Sequence, residues 1–107
     1  MQQTPPAINV RLEDIDWREM VELDRHRPGT GRGRLIKEQI PVWALIGYAG
    51  ALTGTTDPEV ISTDKVMAAV ARDYEVPITA VMAAVQYYIS HRGPIDAVLE
   101  VNASVTG

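Results

Sequence analysis

The strongest constraint on the fold of this chain is a pair of amphipathic segments within residues 64–92 that only a tight turn separates. In each segment, apolar residues recur every three or four positions, which is the spacing of a helix with one buried face. These residues are Val66, Val70 and Tyr74 in the first segment, and Val81, Val85 and Tyr88 in the second. Pro77 interrupts the helical pattern between them, and Thr79 can cap the second helix. The pattern therefore predicts a helix-turn-helix.

A helix-turn-helix has two common uses. DNA-binding proteins present the second helix to a major groove, and small helical proteins use the same crossing as plain packing. With the apolar stripe and Ala84 buried, the predicted outward face carries Thr79, Met82 or Ala83, and Gln86. Gln86 can pair with an adenine, and Ala83 leaves room for a thymine methyl group. Methionine and alanine at these positions equally suit a helix buried in a dimer or against a partner protein.

Length and composition narrow the class of protein. The 107 residues suit one domain of a size that gains stability from association, so we expect a homodimer. The absence of cysteine excludes disulfides, thiol nucleophiles and thiolate metal sites. The chain has no apolar run of about 20 residues and no signal peptide pattern at its start, so we expect no membrane contact and a cytoplasmic location. The net charge of -4 argues against DNA binding by bulk electrostatics.

Positive charge is concentrated in residues 25–34, which contain Arg25, Arg27, Arg32 and Arg34 among glycines and no acidic residue. An arginine loop of this kind can follow a phosphate backbone or enter a minor groove, so these four residues join the candidate DNA-binding set. It can equally clamp an acidic protein partner, or serve as a solvated connector.

The rest of the chain divides into a partly flexible N-terminal segment, residues 1–33, and a helix-turn-helix domain, residues 34–107. In the first segment we expect a short strand at residues 8–12 and a helix at residues 14–23 capped by Asp14. Residues 34–40 suit a minimal hairpin or two extended pieces leading to Pro41.

A helix should follow over residues 42–52, and Ser62 or Thr63 should cap the first helix of the helix-turn-helix. Gly93 should end the second helix, and Pro94 should begin another. The apolar stripe of that last helix consists of Ile95, Val98 and Leu99.

Enzymatic chemistry has little support in this sequence. His26 and His91 are the only histidines, and neither has a carboxylate at a spacing that makes a metal pair. The glycines at residues 29–33 lack the preceding buried strand and the lysine-serine ending of a nucleotide-binding loop. We therefore expect no enzyme, no cofactor and no metal site.

Several short motifs in residues 31–102 match a known pattern. They are Ile40-Pro41-Val42-Trp43, Asp73-Tyr74, Thr79, Val81, Ala83-Ala84, Tyr87-Tyr88, Ile95-Asp96 and Asn102. In this order they resemble the small bacterial family called domain of unknown function 433, whose members look like antitoxins of PIN-type ribonuclease toxins. The chain departs from the family pattern at Lys37-Glu38-Gln39, where the family has Gly-Thr-Arg.

The resemblance implies a mainly α, homeodomain-like helix-turn-helix core of three to four helices, with a short extended or hairpin segment near the N-terminus. It also implies a dimeric antitoxin-type regulator that binds a partner toxin and its own promoter DNA. The alternative is a protein-interaction or assembly module that uses the helical domain as a scaffold without DNA binding.

Overall fold

The computed structural model describes residues 10–26 and 29–106. Within these residues the chain forms five helices and one two-stranded antiparallel sheet. In chain order the elements are β1 (Val21–Leu23), β2 (Gly33–Leu35), α1 (Val42–Thr53), α2 (Pro58–Ile61), α3 (Asp64–Tyr74), α4 (Ile78–Ser90) and α5 (Arg92–Thr106). The prediction of a mainly helical fold with a short hairpin near the N-terminus is confirmed.

The helix boundaries follow from local chemistry. α1 begins after Pro41 and ends at Gly54, whose φ of 85° is easily adopted only by a residue without a side chain. The predicted helix over residues 42–52 is thus confirmed, with one further residue. Thr63 caps α3 as predicted, because its hydroxyl accepts a hydrogen bond from the backbone N–H of Val66.

The turn between α3 and α4 consists of residues 75–77, so the helix-turn-helix spacing is present. α4 begins at Ile78, directly after Pro77, and no side chain caps it. The prediction that Thr79 caps this helix is wrong, because Pro77, two residues earlier, already has the extended backbone geometry of the N-cap. Thr79 lies instead in the first turn of α4.

α4 is the central element of the fold. Eight of its thirteen residues are buried: Ala80, Val81, Met82, Ala83, Ala84, Val85, Tyr87 and Tyr88. The helix contacts α1, α3 and α5, both strands, and the chain that precedes the sheet. An amphipathic surface helix buries one stripe, whereas α4 is covered on more than one side.

The N-terminal region differs from the expected helix at residues 14–23. It forms two short 3-10 turns, Leu12–Asp14 and Trp17–Glu19, and then β1. The side chain of Asp16, rather than Asp14, caps the second turn by accepting from the N–H of Arg18. The backbone N–H and C=O groups of β1 form hydrogen bonds with β2 instead of the hydrogen bonds that a helix would have provided.

The predicted strand at residues 8–12 is partly outside the described residues, and residues 10–12 form no strand. Residues 34–41 do fold back on themselves: Arg34 and Pro41 form an isolated bridge, and the N–H of Leu35 donates to the carbonyl of Ile40. The principal partner of residue 34 is nevertheless Glu22 on β1. The hairpin therefore joins residues on both sides of the proposed boundary at residue 33.

The C-terminal helix begins one residue before the expected Gly93 stop. α4 ends at Ser90 and α5 begins at Arg92, so Gly93 and Pro94 both lie in the first turn of α5. A proline is tolerated there because the first turn of a helix has no intrahelical acceptor for its N–H groups. The predicted stripe of α5 packs as expected: Ile95 and Val98 are buried, and Leu99 contacts the core.

Candidate functional site

The candidate site lies where the N-terminal chain crosses α4. Gln86 is the residue that ties the two together: its Nε2 donates to the carbonyl oxygen of Leu12 over 2.9 Å, and its Oε1 accepts from the N–H of Trp17 over 3.2 Å. Both ends of the amide are therefore engaged by backbone groups of the same chain. These two bonds orient the amide toward the N-terminal chain, and the partly buried side chain is not presented outward to an adenine.

The other predicted base-reading residues are also unavailable. Met82 is 1% exposed and Ala83 is fully buried, so the prediction that they lie on the outward face is wrong. The reason is that the two 3-10 turns pack on the side of α4 that a surface helix would expose. Thr79 is partly buried at the start of the helix. The candidate groove-reading face is thus closed in this structure.

An aromatic cluster of three rings forms next to Gln86. The Trp17 ring meets Tyr87 edge to face at 4.8 Å between centroids, and it meets His91 in the same way at 5.3 Å. Tyr87 and His91 are stacked at 4.1 Å, with the Nδ1 atom of His91 3.0 Å from the carbonyl oxygen of Tyr87. These contacts fix the ring positions, because edge-to-face and offset-stacked pairs are the favoured geometries.

Tyr87 connects this cluster to the hairpin. Its hydroxyl donates to the carbonyl oxygen of Thr30, and burial raises the pKa of the phenol. The ring lies directly against Gly33 in β2: a Cβ at that position would be only 2.7 Å from Cζ of Tyr87. Only glycine allows this approach, so the position of the hairpin depends on the ring.

A pocket of about 250 Å³ opens between the hairpin and the aromatic cluster. Its lining residues are Trp17, Val21, Glu22, Leu23, Thr30, Tyr87 and His91. Among these lining residues, Leu23 has 53% of its surface exposed. Covering an exposed leucine with an apolar group of a ligand lowers the free energy, because apolar surface leaves water.

The arginines of the predicted loop differ in exposure and in ion pairing. Arg34 pairs with Glu22 across the hairpin, with 3.1 Å between Nε and Oε2, so a carboxylate offsets its positive charge. Arg25 is exposed and Arg32 is partly buried, and neither forms an ion pair with another described residue. Arg27 lies outside the described residues. The carbonyl oxygen of Arg32 accepts from the N–H of Asp24, so the backbone pairing of the hairpin continues one residue beyond the Leu23–Gly33 pair.

Two further polar clusters are part of the packing. The Tyr88 hydroxyl donates to Asp96 over 2.6 Å and lies near Thr56, and burial followed by the Asp96 hydrogen bond raises the pKa of Tyr88. Tyr48 donates to Asp73 between α1 and α3. In the described part of the chain no three His, Cys, Asp or Glu side chains are placed to share a metal ion.

None of the residues that line this pocket is predicted from the sequence as a site residue, and Trp17 and Leu23 illustrate why. A signal for Leu23 was present: residues 21–23 alternate apolar, acidic and apolar, and residues 33–35 offer an arginine opposite the acid. That complementary pattern indicates a hairpin with one apolar face. The crossing of Trp17 over α4 has no comparable local signal.

No family model, no curated protein and no solved structure among those compared matches this chain. The resemblance to the domain of unknown function 433 family therefore stays a prediction that rests on the short motifs quoted for it. Among the described helices, none combines the length and apolar character that a bilayer crossing requires.

Proposed function

We propose that this chain is a protein-interaction module of the antitoxin type, which binds a partner protein in the cytoplasm and does not read DNA with α4. The observation that carries the proposal is the closure of α4 by its own N-terminal chain. Met82 and Ala83 are buried, and the Gln86 amide is occupied by Leu12 and Trp17. The resemblance supplies the expected partner, a PIN-type ribonuclease toxin.

Electrostatics also favour a protein partner over nucleic acid. The chain carries a net charge of -4, and one of the four arginines predicted to contact phosphates is neutralised by Glu22. Phosphate binding depends on several cations acting together, each releasing counterions from the nucleic acid. Of these arginines, Arg25 and Arg32 form no ion pair with another described residue, and two such cations suit one acidic segment of a protein better than a run of phosphates.

The test is co-expression of this chain with the product of the adjacent reading frame. We expect the two proteins to co-purify as a complex, and we expect this chain to relieve any growth arrest that its neighbour causes. A Tyr88→Ala variant, which removes a fully buried side chain, serves as a destabilised control that should perform worse than the parent chain in both assays. If the folded chain neither binds its neighbour nor protects the cell from it, the antitoxin proposal is wrong.

The same material tests the expected homodimer. Sedimentation equilibrium of the purified chain should give twice the 11.7 kDa monomer mass. A monomer mass at all concentrations would contradict the dimer, while leaving the interaction proposal intact.

A further inference from the structure

We propose that the pocket between the β1–β2 hairpin and the Trp17, Tyr87 and His91 rings is the docking site for an acidic segment of a partner protein that carries one apolar anchor side chain. This inference rests on the proposed function and deepens it, because it names the surface and the chemistry of the partner. Three observations carry it: the pocket, the exposed leucine in its lining, and the charge of the hairpin.

The size and lining of the pocket define the anchor. A volume of about 250 Å³ can admit one large side chain. The single carboxylate in the lining, Glu22, is already paired with Arg34, so it offers no free charge to a cationic side chain. Leu23 and the rings of Trp17 and His91 are the lining groups that offer apolar surface to the ligand. The anchor is therefore aliphatic or aromatic.

The charge of the hairpin defines the residues on either side of the anchor. Residues 21–35 contain four arginines and two acidic residues, a net charge of +2 in a chain whose total is -4. Arg25 and Arg32 have no ion-pair partner among the described residues, and Oδ1 of Asp24 already accepts from the N–H of His26. Guanidinium groups bind carboxylates with charge-assisted hydrogen bonds. Arg25 and Arg32 each lie two residues along the chain from a lining residue, Leu23 and Thr30 respectively, so an acidic segment is favoured beside the pocket and a basic one is repelled.

The hairpin is also held rigidly enough to act as a preformed site. Tyr87 lies against Gly33 and donates to Thr30, and Glu22 pairs with Arg34 across the strands. The 3-10 turn Thr30–Arg32 packs on α5, where a Cβ at Gly31 would be 2.5 Å from the carbonyl oxygen of Pro94. Binding to a preformed pocket loses little free energy to the ordering of loops and side chains.

The test uses short synthetic peptides with one leucine, phenylalanine or tryptophan flanked by glutamates, added to the isotope-labelled full-length chain. We expect amide and indole shifts at Trp17, Leu23 and Thr30 in the nitrogen–proton spectrum. Peptides with lysine in place of glutamate should not bind, and the affinity of the acidic peptides should fall as salt is added.

Two variants and two matched controls locate the contact. Leu23→Ser should weaken peptide binding about tenfold, the effect of losing part of a leucine contact, whereas Val101→Ser on α5 removes an equally exposed residue and should change nothing. The double variant Arg25→Ala and Arg32→Ala should flatten the salt dependence, and Lys65→Ala on α3 should not. Because Arg25 is exposed and Arg32 is only partly buried, the double variant keeps the test valid even if Leu23→Ser disturbs the hairpin.

The proposal is overturned if no acidic peptide shifts the pocket residues, or if a duplex or single-stranded oligonucleotide shifts them more strongly than the peptides do. Failure of the two proposals can be told apart. A partner that co-purifies equally well with the parent chain and with Leu23→Ser would refute the pocket and leave the interaction module standing. If acidic peptides bind the pocket but the product of the adjacent reading frame does not bind this chain, the pocket stands and the antitoxin proposal is refuted.

Discussion

At the scale of single residues, two adjacent tyrosines join α4 to different parts of the molecule. Tyr87 is directed to the hairpin, where it packs on Gly33 and donates to Thr30. Tyr88 is directed to α5 and the α1–α2 loop, where its hydroxyl contacts Asp96 and Thr56. Both side chains are buried, at 1% and 0% exposure. Neighbouring residues on a helix point about 100° apart, so both can be buried only if packed layers cover both directions.

We predict that Tyr87→Ala and Tyr88→Ala each lower the free energy of unfolding by about 3 to 5 kcal/mol, the range for truncating a large buried aromatic side chain. Tyr87→Phe should cost about 1 kcal/mol, because it removes only the hydrogen bond to Thr30. Urea denaturation of the three variants provides the measurement. The apolar stripe of α4 taken alone predicts a much smaller cost for Tyr87→Ala, and that result would mean the hairpin does not pack on this ring.

Gln86 provides a second prediction at this scale. Gln86→Ala should lower the free energy of unfolding by about 1 to 3 kcal/mol, because Leu12 and Trp17 lose their partners for backbone groups. Hydrogen exchange of the Trp17 amide should accelerate more than that of amides in α1. Ser90→Ala, at an exposed position of the same helix, is the control and should change neither quantity. Unchanged exchange at Trp17 in Gln86→Ala would contradict the closure of α4.

The Tyr48–Asp73 pair makes a prediction about pH. The hydrogen bond from Tyr48, followed by that from Arg72, holds the pKa of Asp73 below its ordinary value, and the same bond raises the pKa of Tyr48. The Asp73 contribution to stability is therefore present above the ordinary carboxyl pKa and is lost as pH falls through the lowered pKa. The Tyr48 contribution is present below the ordinary phenol pKa and is lost as pH rises through the raised pKa.

Tyr48→Phe should consequently raise the pKa of Asp73 toward its ordinary value, as measured by carbon NMR titration of its carboxyl group. The remaining contact with Arg72 should keep it from returning fully. An Asp73 pKa that does not move in Tyr48→Phe would show that the hydroxyl does not bind this carboxylate in solution.

At the scale of elements, the helices follow their sequence signals closely, and the N-terminal chain does not. α1, α3 and α4 each begin beside a proline or a threonine cap and carry apolar residues at helical spacing, so local physics suffices to place them. Residues 14–23 also carry apolar residues at that spacing, but β1 pairs with β2 and the turns before it bind α4. Non-local pairing outweighs a weak local preference there.

The turn between α3 and α4 supplies a prediction for this scale. Glu75 ends α3 with φ 57° and ψ 45°, a left-handed conformation that is unfavourable for a residue with a side chain. Glu75→Gly should therefore raise the free energy of unfolding by about 1 kcal/mol. Ala68→Gly, at an exposed interior position of α3, should lower it by about 1 kcal/mol and is the matched control. Destabilisation of similar size in both variants would show that Glu75 is not left-handed.

At the scale of the whole molecule, the use of the helix-turn-helix is decided by what covers α4. Sequence periodicity identifies the two helices and the buried stripe, yet it cannot show whether another segment packs on the opposite face. The covering segment here is distant in the chain: the hydrogen bonds of Gln86 join residues 69 and 74 positions apart. A local pattern contains no information about such contacts, which is why Gln86 was predicted to face a groove and is found holding Trp17.

The pocket beside the hairpin was beyond sequence reasoning for the same reason. Trp17 and Leu23 come from the N-terminal chain and Tyr87 comes from α4, and only the folded packing brings them together. The arginine loop, by contrast, was visible as a cluster of charge, although its division into a paired Arg34 and an unpaired Arg25 follows from the hairpin register.

A binding-site selection with random duplex DNA tests the central claim, that α4 is the core of an interaction module and not a groove reader. The experiment uses the full-length chain at moderate salt, with and without the product of the adjacent reading frame. Our account predicts no enriched sequence in either case. An enriched inverted repeat with half-sites roughly ten base pairs apart, whose sequence preference changes in Gln86→Ala, would contradict it.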